Sequence, residues 1–160
     1  YCPADQTVYM DMSFFNELQS RFGAKVTEFT IAYVMAHEMG HHVQNLLGVL
    51  SETDQARRSG QYSETQMNKI SVATELQADF YAGVWARYSN EREKFLEPGD
   101  LESAVEAAEA VGDDNIQKRS QGYVNQDSFT HGSSAQRKEW FMKGYNSGDI
   151  KQGNTFQQLR

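Results

Sequence analysis

The octapeptide Met35-Ala36-His37-Glu38-Met39-Gly40-His41-His42 constrains this chain more than any other stretch. It contains the pattern H-E-x-x-H. On an α-helix, residues four apart lie one turn along the axis and about 40° round it, so His37 and His41 face the same way and can hold one metal ion. Glu38 stands about 100° round from His37, beside the metal rather than on it. A carboxylate there can take a proton from a metal-bound water. Imidazole suits zinc, and two histidines with one carboxylate leave the fourth position of the ion open. The fold must therefore supply a helix at 35–42 and a third ligand beside it.

The flanking residues favour that helix. Thr27 is a suitable N-cap, and the periodicity predicts a helix from about Thr27 to Leu50. Ala32, Ala36, Met39, Val43, Leu46, Leu47 and Leu50 form one apolar side; Tyr33, Val34, His37, His41 and Gln44 lie on another. A helix apolar round most of its circumference is expected to be central and buried. Histidines buried there without partners would be costly, which favours a metal site. His42 is about 100° from His41 and cannot join the same ion, so it reads as a packed or hydrogen-bonded histidine.

The third ligand is sought one helix later. Ser63-Glu64-Thr65-Gln66 is a capping box, and the helix it opens is expected to continue to about Tyr88. Met67, Ile70, Ala73, Leu76, Phe80, Tyr81, Val84 and Trp85 form its core side. Its other side carries Ser71, Glu75, Asp79, Ala82, Gly83 and Ala86. Glu75 and Asp79 are four apart and share a face. Glu75 is the expected third ligand, and Asp79 the expected acceptor for the far N–H of a ligating histidine, most simply His37. Two solvated acids would be the ordinary alternative, but here both stand among alanines in an otherwise apolar helix.

The rest of the chain reads as scaffold. Val8, Met10 and Met12 alternate with polar neighbours after a turn at 3–6, predicting a small N-terminal β-hairpin or edge strand. Ser13 can cap a short helix, Phe14 to Arg21; residues 51–62 read as a surface connection. Asp100 can cap a helix over Leu101–Val111, and Asp113 or Asp114 one over Ile116–Gln121. Residues 122–133 form a loop, and Ser133-Ser134-Ala135-Gln136 is a second capping box whose helix should stop at Gly148. The expected fold class is mainly α (α+β), a helical domain built on an active-site helix pair. A single domain over 1–160 is consistent with the length.

Charge narrows the partners. The net charge is −7 with no basic run, which argues against nucleic acid. No apolar run approaches a membrane span. Cys2 is the one cysteine, so it is free, paired outside the chain, or paired to a segment upstream.

His37-Glu38-x-x-His41 with Glu75-x-x-x-Asp79 resembles a gluzincin metallopeptidase, and more narrowly the bacterial neutral zinc metallopeptidase family. The matching stretches are YCPADQTVYMD, AYVMAHEMGHHVQ, ELQADFYAGVWA and DSFTHGSSAQRKEWFMKGYNSGD, spread over nearly the whole chain. Glu75-Leu76-Gln77-Ala78-Asp79 is also similar to the E-x-x-A-D of prenyl-protein proteases and related membrane peptidases. Thr130-His131-Gly132 with Arg137 resembles their T-H-P…R segment, with Gly132 in place of Pro. The resemblance implies a zincin-like fold and one catalytic zinc ion. It also implies a protein of the bacterial cell envelope, on its periplasmic or extracytoplasmic side. Members often carry an N-terminal anchoring or signal segment and a cysteine upstream of this domain, which would account for the start at Tyr1 and for Cys2.

The expected activity is endopeptidic hydrolysis of a peptide or protein substrate by a zinc-activated water. Glu38 would serve as general base, His131 as a second donor to the oxyanion, and Arg137 as a holder of substrate carbonyls. The segment Thr7–Asp11 could pair with an extended substrate. A di-iron carboxylate protein would need a second E-x-x-H, and Glu75 is followed three residues on by Ala78. A non-catalytic metal-binding module of the same fold would normally lack the general base, and Glu38 is present.

Overall fold

The structure, a computed structural model, describes residues 1–159; Arg160 lies outside the described residues. Helices carry the architecture: α1 Ser13–Ser20, α2 Glu28–Leu46, α3 Val49–Ser59, α4 Glu64–Glu93, α5 Asp100–Ala110, α6 Asp113–Gln121 and α7 Ser134–Ser147. Short 3-10 turns follow at Gln126–Ser128, Ile150–Gln152 and Thr155–Leu159.

The axis of the molecule is α4, 30 residues long, which packs against α2, α3, α7 and the last 3-10 turn. Its start is the capping box read from the sequence: the Ser63 hydroxyl accepts from the Gln66 N–H, and the Gln66 side chain accepts from the Ser63 N–H. Two apolar clusters lie on its flanks. One joins α1, α2, α5 and α7 through residues such as Leu18, Phe29, Tyr33, Ala108 and Phe141; the other gathers Leu76, Phe80, Val84 and Trp140.

Glycine sets how closely the helices approach. A Cβ on Gly83 would run into the Phe141 carbonyl oxygen, and one on Gly144 into that of Phe80, so α4 and α7 touch backbone to backbone. Gly40, inside the H-E-x-x-H turn, does the same for α2 and α4. A Cβ there would lie 2.9 Å from the Ala78 carbonyl oxygen. That approach lets His37 and His41 on α2 reach an acid on α4.

Three expectations need correction. The N-terminal β-hairpin or edge strand is not formed. Cys2 and Thr7 make an isolated antiparallel bridge, Cys2 N–H to Thr7 O at 2.9 Å and the reverse at 3.3 Å. No strand among the described residues extends that bridge into a ladder, and an isolated two-stranded pair is marginal in water. Val8 and Met10 are still half-buried and Tyr9 and Asp11 exposed, so the alternation reported burial without pairing. The class is thus mainly α.

The supposed surface connection at 51–62 is mostly α3. Gly48, at φ +83°, breaks the long helix and caps a new one. Glu52 in the first turn, Arg57 and Arg58 in the last, and an Asp54–Arg58 pair at 2.8 Å suit the helix ends and face.

Nor is α2 buried all round, as its composition suggested. Met39, Leu46 and Leu47 are exposed, whereas Phe29, Thr30, Tyr33, Ala36, His37, Gly40 and Gln44 are buried. The central buried helix is α4.

Candidate metal centre

Two helices bring the predicted ligands together. His37 and His41 project from successive turns of α2 with ring centroids 4.8 Å apart. Glu75 meets them from α4: His37 Nε2 lies 3.1 Å from Glu75 Oε2, and His41 Nε2 lies 3.6 Å from Glu75 Oε1. One ligand atom from each of the three falls within 4.8 Å of the others, the only such group among the described residues.

What turns both Nε2 atoms inward is the partner of each Nδ1. His37 Nδ1 is 2.8 Å from Asp79 Oδ1. His41 Nδ1 is 2.8 Å from Gln44 Oε1. The orientation of the Gln44 amide is settled by its other end, which donates to Thr74 O at 2.7 Å and to Gln77 Oε1 at 3.0 Å. The oxygen must therefore face His41, so Nδ1 carries the proton and Nε2 is left as a lone-pair donor. Asp79 imposes the same tautomer on neutral His37.

Asp79 is fully buried and is held by four hydrogen-bond contacts. Besides His37 it accepts from the Tyr33 hydroxyl at 2.6 Å and from Arg137 Nε and Nη2 at 2.8 and 2.9 Å. Burial alone would raise its carboxyl, but the Arg137 and His37 charges hold it at about 2. Burial lowers His37, and the charge and hydrogen bond of Asp79, with Glu75, more than reverse this to about 9. Burial likewise works against the Glu75 carboxylate, but bonds from His37 and His41 hold it well below the usual range.

Arg137, expected to hold substrate carbonyls, is itself buried, with its Nε and Nη2 committed to Asp79. Glu38 opens onto a cavity of about 570 Å³ shared with His37, His41, Glu75, His131 and Arg137. Phe14, Phe22, Val34, Val111 and Ile116 give that cavity an apolar wall. The Tyr1 backbone nitrogen reaches Glu38 Oε2 at 2.5 Å, and the Tyr1 hydroxyl lies 2.8 Å from His42 Nδ1. His42 is thus a hydrogen-bonded packing residue apart from the ligand group.

His131 lies in the predicted loop, half-exposed, with Nδ1 3.0 Å from Thr130 Oγ1 and 3.3 Å from Asp113 Oδ1. The Asp113 hydrogen bond raises its pKa against the opposing effect of burial. Ser133, two residues on, caps α7.

Sequence reasoning missed the functions of Tyr33, Gln44 and Asp113. Tyr33 is four residues before His37 and Gln44 three after His41, so helical spacing could have found both. Asp113 was read only as a helix cap, and nothing in the local pattern ties it to a loop beginning at residue 122.

The donor set fits zinc on its own chemistry. Two imidazole nitrogens and one carboxylate converge, each imidazole is fixed from behind, and the cluster faces an open cavity.

The comparisons with known proteins agree. The model of a family described as "Putative neutral zinc metallopeptidase" matches residues 1–156. Relatives include a protein of Escherichia coli K12 named "Uncharacterized protein YpfJ", 50% identical over 156 residues covering 98% of this chain and 53% of that protein. Another is "Uncharacterized protein Rv2575" of Mycobacterium tuberculosis H37Rv, 46% identical over 165 residues covering 98% of this chain and 54% of that one. The chain spans about half the length of these curated relatives. No solved structure matches it. With its family match running through both the H-E-x-x-H helix and the Glu75 helix, the chain belongs to the neutral zinc metallopeptidase family.

Proposed function

We propose that the chain is a zinc-dependent endopeptidase domain, with His37, His41 and Glu75 as ligands of one ion and Glu38 as general base. The observation that carries this reading is the convergence of His37 Nε2, His41 Nε2 and the Glu75 carboxylate, with each Nδ1 held by a named acceptor. When bound, zinc would lower the pKa of a water ligand towards ~7 and polarise the substrate carbonyl.

The chain's own residues do the rest. Glu38 takes the proton from the attacking water and returns it to the leaving amine, so the carboxylate is regenerated in each turnover. His131, on the same cavity, donates through Nε2 to the oxygen that gains negative charge. Arg137 holds Asp79, and Asp79 holds His37; this chain of contacts fixes a ligand rather than gripping substrate. The substrate is a peptide or protein, consistent with the family. Among the described residues no helix is long and apolar enough to cross a membrane. We assign the protein to the bacterial cell envelope on the family resemblance, which fractionation of the native host would test.

Metal analysis joined to peptide-library cleavage tests the reading. Wild-type protein should carry one zinc per chain and cleave peptides. Glu38→Gln should keep zinc and fold while losing several orders of magnitude in kcat. Near-normal turnover by Glu38→Gln would sink the mechanism.

A further inference from the structure

Asp113, the first residue of α6, makes contacts that a helix-capping aspartate does not need. Its Oδ2 accepts three backbone N–H groups in succession: Thr130 at 2.7 Å, His131 at 2.6 Å and Gly132 at 3.0 Å. Its Oδ1 lies 3.3 Å from His131 Nδ1. Its own backbone N–H donates to Gly132 O at 2.9 Å. One residue thus holds both polar edges of a three-residue turn and the ring at its centre. Asp113 is buried, so water competes poorly for these bonds.

The neighbours complete the grip. Asp114 Oδ1 accepts from the Ser134 N–H at 2.7 Å and from its hydroxyl at 2.8 Å. Gly112 lies so close to Ser134 that a Cβ there would collide with its backbone. Gly132 sits at φ +93°, and a Cβ on it would lie 3.1 Å from Leu76 and 3.3 Å from Val72, so the turn also rests on α4. The 130–134 segment is therefore fixed between the α5–α6 junction and the helix that carries Glu75.

We propose that Asp113 is a positioning residue for peptide hydrolysis: it clamps the 130–132 turn and turns the His131 ring so that Nε2 faces the cavity shared with Glu38 and Glu75. This rests on the peptidase reading and on His131 as oxyanion donor. With Nδ1 directed at Asp113, the other nitrogen is the one free for substrate. A carboxylate behind the ring also favours the doubly protonated imidazole, in which Nε2 is a charge-assisted donor. The charges acting on His131 come from three helices: Asp113 on α6 and Glu75 on α4 favour that form, and Arg137 on α7 opposes it.

The arrangement resembles the support given to metal-bound histidines, but it acts on a group that does not bind metal. A misplacement of about 1 Å can cost ~10²-fold in rate, so losing the clamp should lower kcat with little change in KM or zinc content.

The test uses His131→Ala, Asp113→Asn and the double variant, with kcat, KM and zinc stoichiometry measured together. NMR titration of the His131 ring is added in wild type and Asp113→Asn. The expected result is a fall in kcat of about 10–10²-fold for Asp113→Asn, at unchanged zinc, and little further loss when it is combined with His131→Ala. In the unaltered protein the His131 ring should titrate above the ordinary histidine value, with Nδ1 protonated at neutral pH, and Asp113→Asn should bring the value down.

If His131→Ala lowers kcat while Asp113→Asn does not, the oxyanion role stands and the positioning role is overturned. If Asp113→Asn costs as much with residue 131 as Ala as with His, Asp113 acts only on stability, and the proposal fails. If His131→Ala is fully active, the donor role and its positioning fall together, while the metal site and Glu38 are untouched. Should Asp113→Asn not fold, the wild-type titration still decides: an ordinary His131 value with an unprotonated Nδ1 overturns the clamp.

Discussion

Gln44 does for His41 what Asp79 does for His37, with a neutral amide in place of a carboxylate. The difference has consequences for substitution. Gln44→Ala removes the acceptor behind His41 Nδ1 and frees the ring to rotate, so zinc affinity should fall about 10–100-fold, the usual cost of losing such a partner. Competition against a chromophoric chelator measures this; an affinity within twofold of wild type would show that the amide does not orient the ligand. Glu75→Ala removes the proposed third ligand and should abolish tight zinc binding in the same assay. Asp79→Asn differs again, because it leaves Arg137 buried without its counter-charge and should cost about 3–5 kcal/mol of stability besides weakening zinc. Chemical denaturation of the metal-free proteins separates the two effects. His37, Glu38 and His41 were legible because one helical turn fixes their relation, and Glu75 with Asp79 by the same spacing. Arg137 was legible as a member of the site but not in its role: sequence spacing does not report that its guanidinium points back at Asp79. Asp113 was not legible as a clamp, since its contacts lie 17–19 residues away across a loop.

Among the helices, the instructive error is α2. Its apolar residues Met39, Leu46 and Leu47 suggested burial all round, yet these are exposed, and only the side with Tyr33, His37 and Gln44 is buried. Apolar patterning predicts burial only where polar groups lack partners inside. Here Asp79, Glu75, Gln77 and Thr74 on α4 supply them, so the polar face can pack inward without orphaned groups. The capping boxes at Ser63 and Ser133 were read correctly because they are local, a hydroxyl and an amide three residues apart. The helix over 49–59 was missed because none of its residues is fully buried and Ala56 is the one apolar residue beyond Leu50. Close helix contact yields a prediction at the same scale. Gly40→Ala places a methyl 2.9 Å from the Ala78 carbonyl oxygen and must push α2 from α4, separating His37 and His41 from Glu75. Overpacking of this kind costs about 1–3 kcal/mol. Zinc affinity should fall as well, whereas Gly60→Ala, with open space around its Cβ, should leave zinc affinity unchanged. Equal zinc affinity in Gly40→Ala and wild type would mean that the contact does not set the ligand geometry.

For the molecule as a whole, the buried charges couple stability to pH and to metal. Asp79 has a folded-state value of about 2 against an ordinary 3.8. A depressed carboxyl contributes stability that is present above the unfolded value and is lost as pH falls through the folded one, so an acid limb is expected between about pH 4 and pH 2. His37 is displaced the other way, from 6.5 to about 9. A raised histidine contributes stability that is fully present below 6.5 and is lost as pH rises through about 9, which gives the metal-free protein an alkaline limb as well. Zinc should abolish that second limb, because a ligating imidazole carries no proton on the nitrogen that binds. Thermal melts of chelator-treated protein should therefore fall between pH 6.5 and 9, and melts at saturating zinc should hold or rise over the same range. Zinc should also raise Tm with its concentration, since a ion that binds only the folded state stabilises it by mass action. Asp79→Asn should flatten the alkaline limb and shrink the acid one, where the depressed Glu75 carboxyl still contributes, because Asp79 both titrates at the acid end and is the main charge raising His37. Parallel alkaline limbs with and without zinc would mean that His37 is not a ligand, and would return the metal to other residues.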